Sequence, residues 1–556
     1  MGKATLVPGK GLFLLACCAG ALCAQAPRVD SVYPAGGKAG STIQAVVRGA
    51  NLKGTYEVWT EGAGLKATVL AVETEPEGKK PADLVRVEIH LDSALAADAS
   101  FRLLAPGGVS NALRFYVHQE PVQMEAAGAH ELPRQAQKIT QLPVAVHGRI
   151  AQVGEVDYYS FQVKAGDLWR FRTLSSEALD PALSIYKLTG SWFDPDRATR
   201  LAFSDEPVPY PDLTTEASLQ YKFAEAGEYL VRVNGFWGYG GPGQEYVLLI
   251  TRDDGRATPR PDEWKERTWT RPLRPDRMNV LQARALPGKT SLPIPVVDAD
   301  AEPVKTPVEP QKIILPTLVV GTVEHPGDID RVRFSVKEGE KLAFEVETPE
   351  KSLPLMNPFL RVLDGDGVEV VTNIYSVVNS NGNASKQIKP KTQYSFPRGG
   401  EFTLEIRDIT ASYGDAGMKY RVLLRPQVPH VGEVHVAEDR LNLIPGKTQK
   451  LSVVTDQEEG FDGYVIVSME GLPEGVRALG GTEVEPDSPP SESVGKRERF
   501  TTKKEKATLI VVPEPGTPRT ERPVTARVYA QPVVKGELGA RILVKEVLIM
   551  VIKAGT

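Results

Sequence analysis

At 556 residues the chain exceeds what one hydrophobic core supports, and about three to five domains is the expectation. Its composition is that of an ordinary soluble globular protein, and 50 glycines with 44 prolines lean toward turn-rich β architecture. A formal net charge of −5 argues against nucleic acid as a partner, because phosphates demand a basic face.

The first residues read as a secretory signal peptide. Lys3 and Lys10 precede the apolar run from Gly11 to Ala24, and Ala24-Gln25-Ala26 offers a small-x-small cleavage site. Cys17, Cys18 and Cys23 all lie inside this leader, so cleavage after Ala26 leaves a mature chain without disulfide or thiolate nucleophile. A rival reading takes Leu14-Leu15-Ala16-Cys17 as a lipoprotein box with a very short apolar core before Cys17. Removing Lys3 and Lys10 leaves 64 basic residues against 71 acidic ones, a charge of −7. No later stretch approaches the ~18 apolar residues that a membrane span needs, and RILVKEVLIMVIKAGT reads as a last strand.

Beyond the leader, short segments rich in Val, Leu, Tyr and Phe alternate with Gly, Pro and Asp, as in LVRVEIHL, EYLVRVNG and FTLEIRD. Long amphipathic helical patterns are nearly absent. The fold class is therefore all-β, a multi-domain string of immunoglobulin-like and jelly-roll-like β-sandwiches.

Residues 27–117 form a first unit. Two related units follow, at 118–253 and 305–427, because GRIAQVGEVDYYSFQVKAGDLWRF from Gly148 aligns without a gap on GTVEHPGDIDRVRFSVKEGEKLAF from Gly321. Gly154, Asp157, Phe161, Val163, Gly166 and Phe171 meet Gly327, Asp330, Phe334, Val336, Gly339 and Phe344. Each copy continues with a Pro-led strand after Asp180 or Asn357, a Gly-Glu-aromatic strand, and a closing strand led by Tyr246 or Tyr420. Asn234 and Asp408 are read as equivalent turn-forming residues just past a strand. A Pro/Arg-rich linker spans 254–304, and its Trp264 and Trp269 either dock on a neighbouring domain or meet an acidic envelope polymer. A last unit, 428–556, carries the charged low-complexity loop EPDSPPSESVGKRERFTTKKEK, read as mobile.

These four units resemble three known families. PRVDSVYPAGGKAGSTIQAVVRGANLKG resembles the opening of an IPT/TIG immunoglobulin-like domain through Pro34, Gly37, Gly40, Gly49, Asn51 and Leu52. The two repeats resemble the bacterial pre-peptidase C-terminal domain, a β-sandwich often appended to secreted proteases, through G-D-x-D-x-x-x-F-x-V-x-x-G, D-P-x-L and G-x-Y-x-L-x-V. The last unit resembles an immunoglobulin-like module common in surface proteins of planctomycete-type bacteria. The shared motifs are turn and core residues, so the resemblance speaks to fold more than to function. Calcium sites in some relatives use an acidic run before the first strand; here MEAAGAHELPRQAQ and AEPVKTPVEPQ stand in its place.

No nucleophile elbow, His-Glu-x-x-His, Walker loop or dinucleotide fingerprint is present, so no catalytic residue is assigned. HELPR at His130 begins like a zincin motif, but Pro133 breaks the helix that would place two histidines on one face. The seven histidines are scattered, which argues against a His-rich metal centre. Asp364 and Asp366 stand two apart on a Gly-rich loop, either a calcium site or a tight turn. No cofactor is expected, with calcium at Asp364 and Asp366 as the alternative. Trp192, Phe236, Trp237 and Tyr239 lie on loops of the first repeat, where aromatic rings either stack on a ligand or fold back over the core. Glu155 and Asp157 read as turn chemistry, while the neighbouring Tyr158 and Tyr159 stay open, either part of a site or no more than one sandwich's surface.

The expected function is that of a non-catalytic exported structural or binding protein of a bacterial cell envelope, periplasmic, cell-surface or secreted. It would present sandwich loops to a protein or polysaccharide of the envelope or extracellular matrix. An accessory role in a secreted protease or glycan-degrading system, and a hydrolase with an unrecognised site, are the alternatives.

Overall fold

The computed structural model describes residues 26–75, 82–190, 194–204, 217–253, 296–299, 310–348, 356–409 and 414–553, except 97, 129, 177, 195, 379–383, 390, 415, 417 and 484–502. The leader with Cys17, the linker tryptophans Trp264 and Trp269, Trp192, and most of the charged loop of the last unit lie outside the described residues. The end of that loop is not irregular, because Lys503–Pro513 forms one strand.

The described chain is all-β, apart from a single 3-10 turn at Pro133–Gln135. Alternation dictates it: in Asp83–Leu91, Val85, Val87, Ile89 and Leu91 point into the core while Arg86 and His90 point out. Among the described residues, no helix is long and apolar enough to cross a membrane.

The first sandwich stacks the sheet Arg28–Tyr33, Thr42–Ala50, Asp83–Leu91, Leu65–Thr74 on Gly36–Lys38, Leu113–His118, Ala99–Ala105, Glu57–Glu61. Val47, Val87, Phe101 and Phe115 fill the space between them.

The two repeats share one topology. In the first, one sheet runs Val122–Met124, Val144–Arg149, Glu245–Arg252, Leu168–Ser175, Ser218–Lys222. The other runs Gln137–Lys138, Val156–Val163, Gly227–Gly235, Pro181–Leu188, Ala198–Ser204. The second repeat uses the same order, from Val296–Asp298 to Lys391–Ser395 and from Gln311–Lys312 to Glu369–Thr372. Val296–Asp298 pairs with Leu318–Val320, so the second repeat's sheet begins inside the stretch expected to be linker. Register also corrects one equivalence. Pro181 faces Gly235 and Pro358 faces Asp408, so Gly235, not Asn234, is the counterpart of Asp408, and both lie within strands.

The last sandwich packs His430–Val436, Gln449–Glu458, Lys503–Pro513, Val476–Glu483 on Arg440–Leu443, Ile542–Val551, Val524–Val534, Tyr464–Glu470. The final apolar run is thus a central strand.

Spatial order departs from chain order, because the first sandwich sits between the first repeat and the last sandwich. Against the repeat, Tyr116 donates to the Ser175 carbonyl at 2.5 Å and Ser31 to Glu245 at 3.0 Å, around a shared apolar patch of Ala35, Ala145, Leu174 and Val247. Against the last sandwich, Arg102 pairs with Asp439 at 2.7 Å, and Leu104 and Val109 pack with Met550 and Ile552. The second repeat docks on the last sandwich through Glu459, held by Arg425 at 2.7 Å and Lys391 at 2.5 Å.

Candidate functional site

Two places in the first repeat carry chemistry beyond what the fold requires. The first is the loop after Gly227–Gly235. Phe236, Trp237 and Tyr239 are 38, 69 and 65% exposed, so these rings do not cover the core. Their backbone is nevertheless fixed. Phe236 N–H donates to Asp180 O at 2.7 Å, Gly154 N–H to Gly238 O at 2.9 Å and Gly241 N–H to Ile150 O at 2.9 Å. Phe236 and Trp237 meet edge to face, centroids 4.9 Å apart. Val153, also exposed, precedes the Gly154 that bonds this loop. Asp364 and Asp366 occupy the hairpin between Pro358–Leu363 and Glu369–Thr372. There Asp364 Oδ1 accepts the amides of Asp366 at 3.0 Å and Val368 at 2.9 Å, which is turn chemistry.

The second place corrects the reading of Asp157, Tyr158 and Tyr159. Asp157 is fully buried and is not a turn residue; it lies on Val156–Val163 with Tyr159 and Phe161 on the same face. Its Oδ2 accepts the Tyr246 hydroxyl at 2.6 Å, and the Tyr159 hydroxyl lies 2.6 Å from that of Tyr246. Tyr158 is also buried, on the opposite face with Tyr186 and Leu230. Neither tyrosine is surface. Directly opposite Tyr246 stands Gly148, where a Cβ would fall 2.4 Å from the tyrosine oxygen, so a glycine is required for the ring to cross to Asp157.

His130 and Glu125 complete this cluster. No helix carries His130: Pro133 opens the 3-10 turn Pro133–Gln135, and His130 reaches the site from the extended segment before it. Gln137 ties that segment down, donating to Met124 O at 2.9 Å and accepting from Ala126 N–H at 2.8 Å, and Tyr158 N–H donates to His130 O at 3.0 Å. His130 Nε2 lies 3.1 Å from Asp157 Oδ1 and 3.5 Å from Glu125 Oε1. The Asp157 carboxylate beside it raises the His130 pKa to about 9, against the opposing effect of burial. Burial and the neighbouring Asp157 charge push Glu125 up to about 7. Burial pushes the Tyr159 and Tyr246 hydroxyls well above their ordinary value.

A second acidic–histidine group, His430 with Glu458 and Glu459, already has its cations, since Lys391 and Arg425 occupy it. Burial opposes ionisation of Glu459, but Arg425 and Lys391 outweigh it and hold the carboxyl down to about 2. This group is an interdomain clamp. Between the first and last sandwiches lies a cleft of about 600 Å³ lined by Gly107, Glu438, Asp439, Arg440 and Asn442.

No family model matches the chain, and no curated protein matches it. Among solved structures it is similar to the pre-peptidase C-terminal domain of a collagenase from Bacillus anthracis, at 14% identity over 21% of this chain and 94% of that one, TM-score 0.16. It is similar to SGBP-B from a xyloglucan utilization locus in Bacteroides uniformis, at 10% identity over 41% and 73%, TM-score 0.15. It also covers about half, 48%, of the secreted serine protease VesC from Vibrio cholerae, at 10% identity over 39% of this chain, TM-score 0.15. Likeness at these scores carries no argument for a ligand, partner or activity.

Proposed function

We propose that the chain is an exported, non-catalytic binding protein of a bacterial envelope, released by removal of residues 1–26. Its first repeat presents Phe236, Trp237, Tyr239 and Val153 to a polysaccharide or protein. The observation that carries this reading is the combination of exposed rings and a hydrogen-bonded backbone. Exposed apolar patches mark contact surfaces, and a ledge fixed before binding loses little entropy on engagement. Aromatic faces on such a ledge suit the apolar faces of sugar rings or the side chains of an extended peptide. The Glu125–His130–Asp157 cluster is a poor site for turnover, because the side chains of these residues are 13, 7 and 0% exposed.

The test is binding of the mature chain to glycan and peptide arrays, alongside Trp237→Ala. Binding that the variant loses while keeping its melting temperature supports the reading. Binding equal in both proteins contradicts it. Capture of an exported hydrolase through the same residues would assign the accessory role.

A further inference from the structure

We propose that Glu125, His130 and Asp157 form a three-donor site for one divalent transition-metal ion of the zinc class. It would stitch the segment after Val122–Met124 to the sandwich of the first repeat. This site is separate from the aromatic ledge, and neither depends on the other.

The argument begins with the histidine tautomer. His130 Nδ1 lies 2.9 Å from the carbonyl oxygen of Gly128. A carbonyl only accepts, so Nδ1 carries a hydrogen, and Nε2 is the ring nitrogen that faces the carboxylates, where a metal ion would displace its proton. A backbone carbonyl on the far nitrogen is the support that metal-bound imidazoles take.

Both carboxylates are supported in the same way. Glu125 Oε2 accepts the Arg149 amide at 2.8 Å, and Asp157 Oδ2 accepts the Tyr246 hydroxyl at 2.6 Å. Each therefore has one oxygen held from behind and the other turned toward Nε2. Among the described residues, neither His130 Nε2 nor Asp157 Oδ1 has a hydrogen-bond partner of acceptable alignment, although both are buried and they face each other as an ion pair.

Spacing then selects the ion. Tetrahedral bonds of about 2.0–2.1 Å require donor–donor edges of about 3.3 Å. The observed Nε2–Oδ1 and Nε2–Oε1 separations, 3.1 and 3.5 Å, bracket that value. Two single carboxylate oxygens and an imidazole nitrogen suit zinc-like ions, whereas calcium takes about six to eight oxygens. The fold does not impose the site. In the second repeat Asp330 keeps its tyrosine, Tyr420, but the residue after the short parallel strand is Ala299 where the first repeat has Glu125, and Val332 replaces Tyr159.

The experiment uses the tag-free mature chain stripped with chelator. Zinc is titrated by calorimetry and cobalt(II) by its visible spectrum, for wild type, His130→Ala, Glu125→Gln and His430→Ala. Circular dichroism establishes that each variant is folded. The proposal predicts one ion per chain, a tetrahedral cobalt spectrum, loss of both in His130→Ala, and affinity about tenfold or more weaker in Glu125→Gln. His430→Ala binds as wild type, and calcium does not compete. Absence of zinc binding, binding unchanged in His130→Ala, stoichiometry lost in His430→Ala instead, or displacement by calcium would each overturn it.

Discussion

Tyr246 donates its hydroxyl to Asp157 at 2.6 Å, and Tyr420 donates to Asp330 at 2.6 Å in the other repeat. The aspartate sits at the entrance of one sheet and the tyrosine on a strand of the facing sheet, so the bond staples the two layers of each sandwich together. In both copies a glycine, Gly148 or Gly321, lies opposite the tyrosine and leaves room for its ring.

Tyr246→Phe removes the donor and leaves Asp157 Oδ2 buried. The expected cost is about 1–3 kcal/mol. Urea unfolding of the wild type and variant measures it, and Tyr420→Phe is expected to lower stability in the same direction. Midpoints unmoved by either change would show that the staple contributes nothing.

The contact between the first and last sandwiches includes Asn442, whose side chain accepts from Val109 N–H at 2.9 Å and donates to Val109 O at 3.0 Å, beside the Arg102–Asp439 pair. It comes close enough that a Cβ on Gly108 would lie 2.1 Å from Asn442 Oδ1, at a φ of +112°. Gly108→Ala is therefore expected to pry the two sandwiches apart while each keeps its own core. Small-angle scattering should report an enlarged radius of gyration and limited proteolysis a new cleavage between units. An unchanged scattering profile would contradict the contact.

The joint between the first sandwich and the first repeat is predicted to be acid-sensitive. His118 Nε2 and His147 Nε2 lie 3.1 Å apart, both buried, with Glu120 at 3.8 Å from His118. Burial lowers both pKa values, and the His118 neighbour adds to the effect on His147, taking it to about 3. An unfolded histidine titrates near about 6.5, so below that pH the unfolded chain binds protons that the folded chain refuses. The contribution of these two histidines is complete above about pH 6.5 and is lost as pH falls toward about 3. From pH 7.5 to 5 the melting temperature of His147→Gln should therefore rise relative to that of the wild type, since Glu125 and His130, whose raised pKa values act in the opposite direction, are common to both proteins. Equal slopes would remove these histidines as the cause.

Much of the fold was legible because its signals are local. Alternation marks the strands, and Gly148, Asp157, Phe161 and Tyr246 recur as Gly321, Asp330, Phe334 and Tyr420 because a turn, a core position or a staple demands each. What Asp157 does was not legible. Its partner is a tyrosine far along the chain, and a strand-entrance aspartate looks the same in sequence whether it caps a turn or bonds across sheets. Tyr159 hides for a related reason: Tyr158-Tyr159 aligns with Arg331-Val332, and although the buried Val332 marks an inward position, the partner of the tyrosine hydroxyl, Tyr246, lies far along the chain. In sequence His130 shows only as the start of a helical motif, and Glu125 with His130 just ahead of the repeat is the available hint. The contact of Gly108 with Asn442 leaves no periodicity behind, so the spatial order of the sandwiches had no sequence signature.

The aromatic ledge is the centre of the functional account, and its residues are exposed enough that truncation leaves stability within about 0.5 kcal/mol. The most direct test is calorimetric titration of the mature chain and of Trp237→Ala with the strongest array ligand. The account predicts saturable binding to the wild type, and at least about tenfold weaker binding to the variant at an unchanged melting temperature, as expected for a ring that anchors a contact. Identical dissociation constants for the two proteins would contradict it.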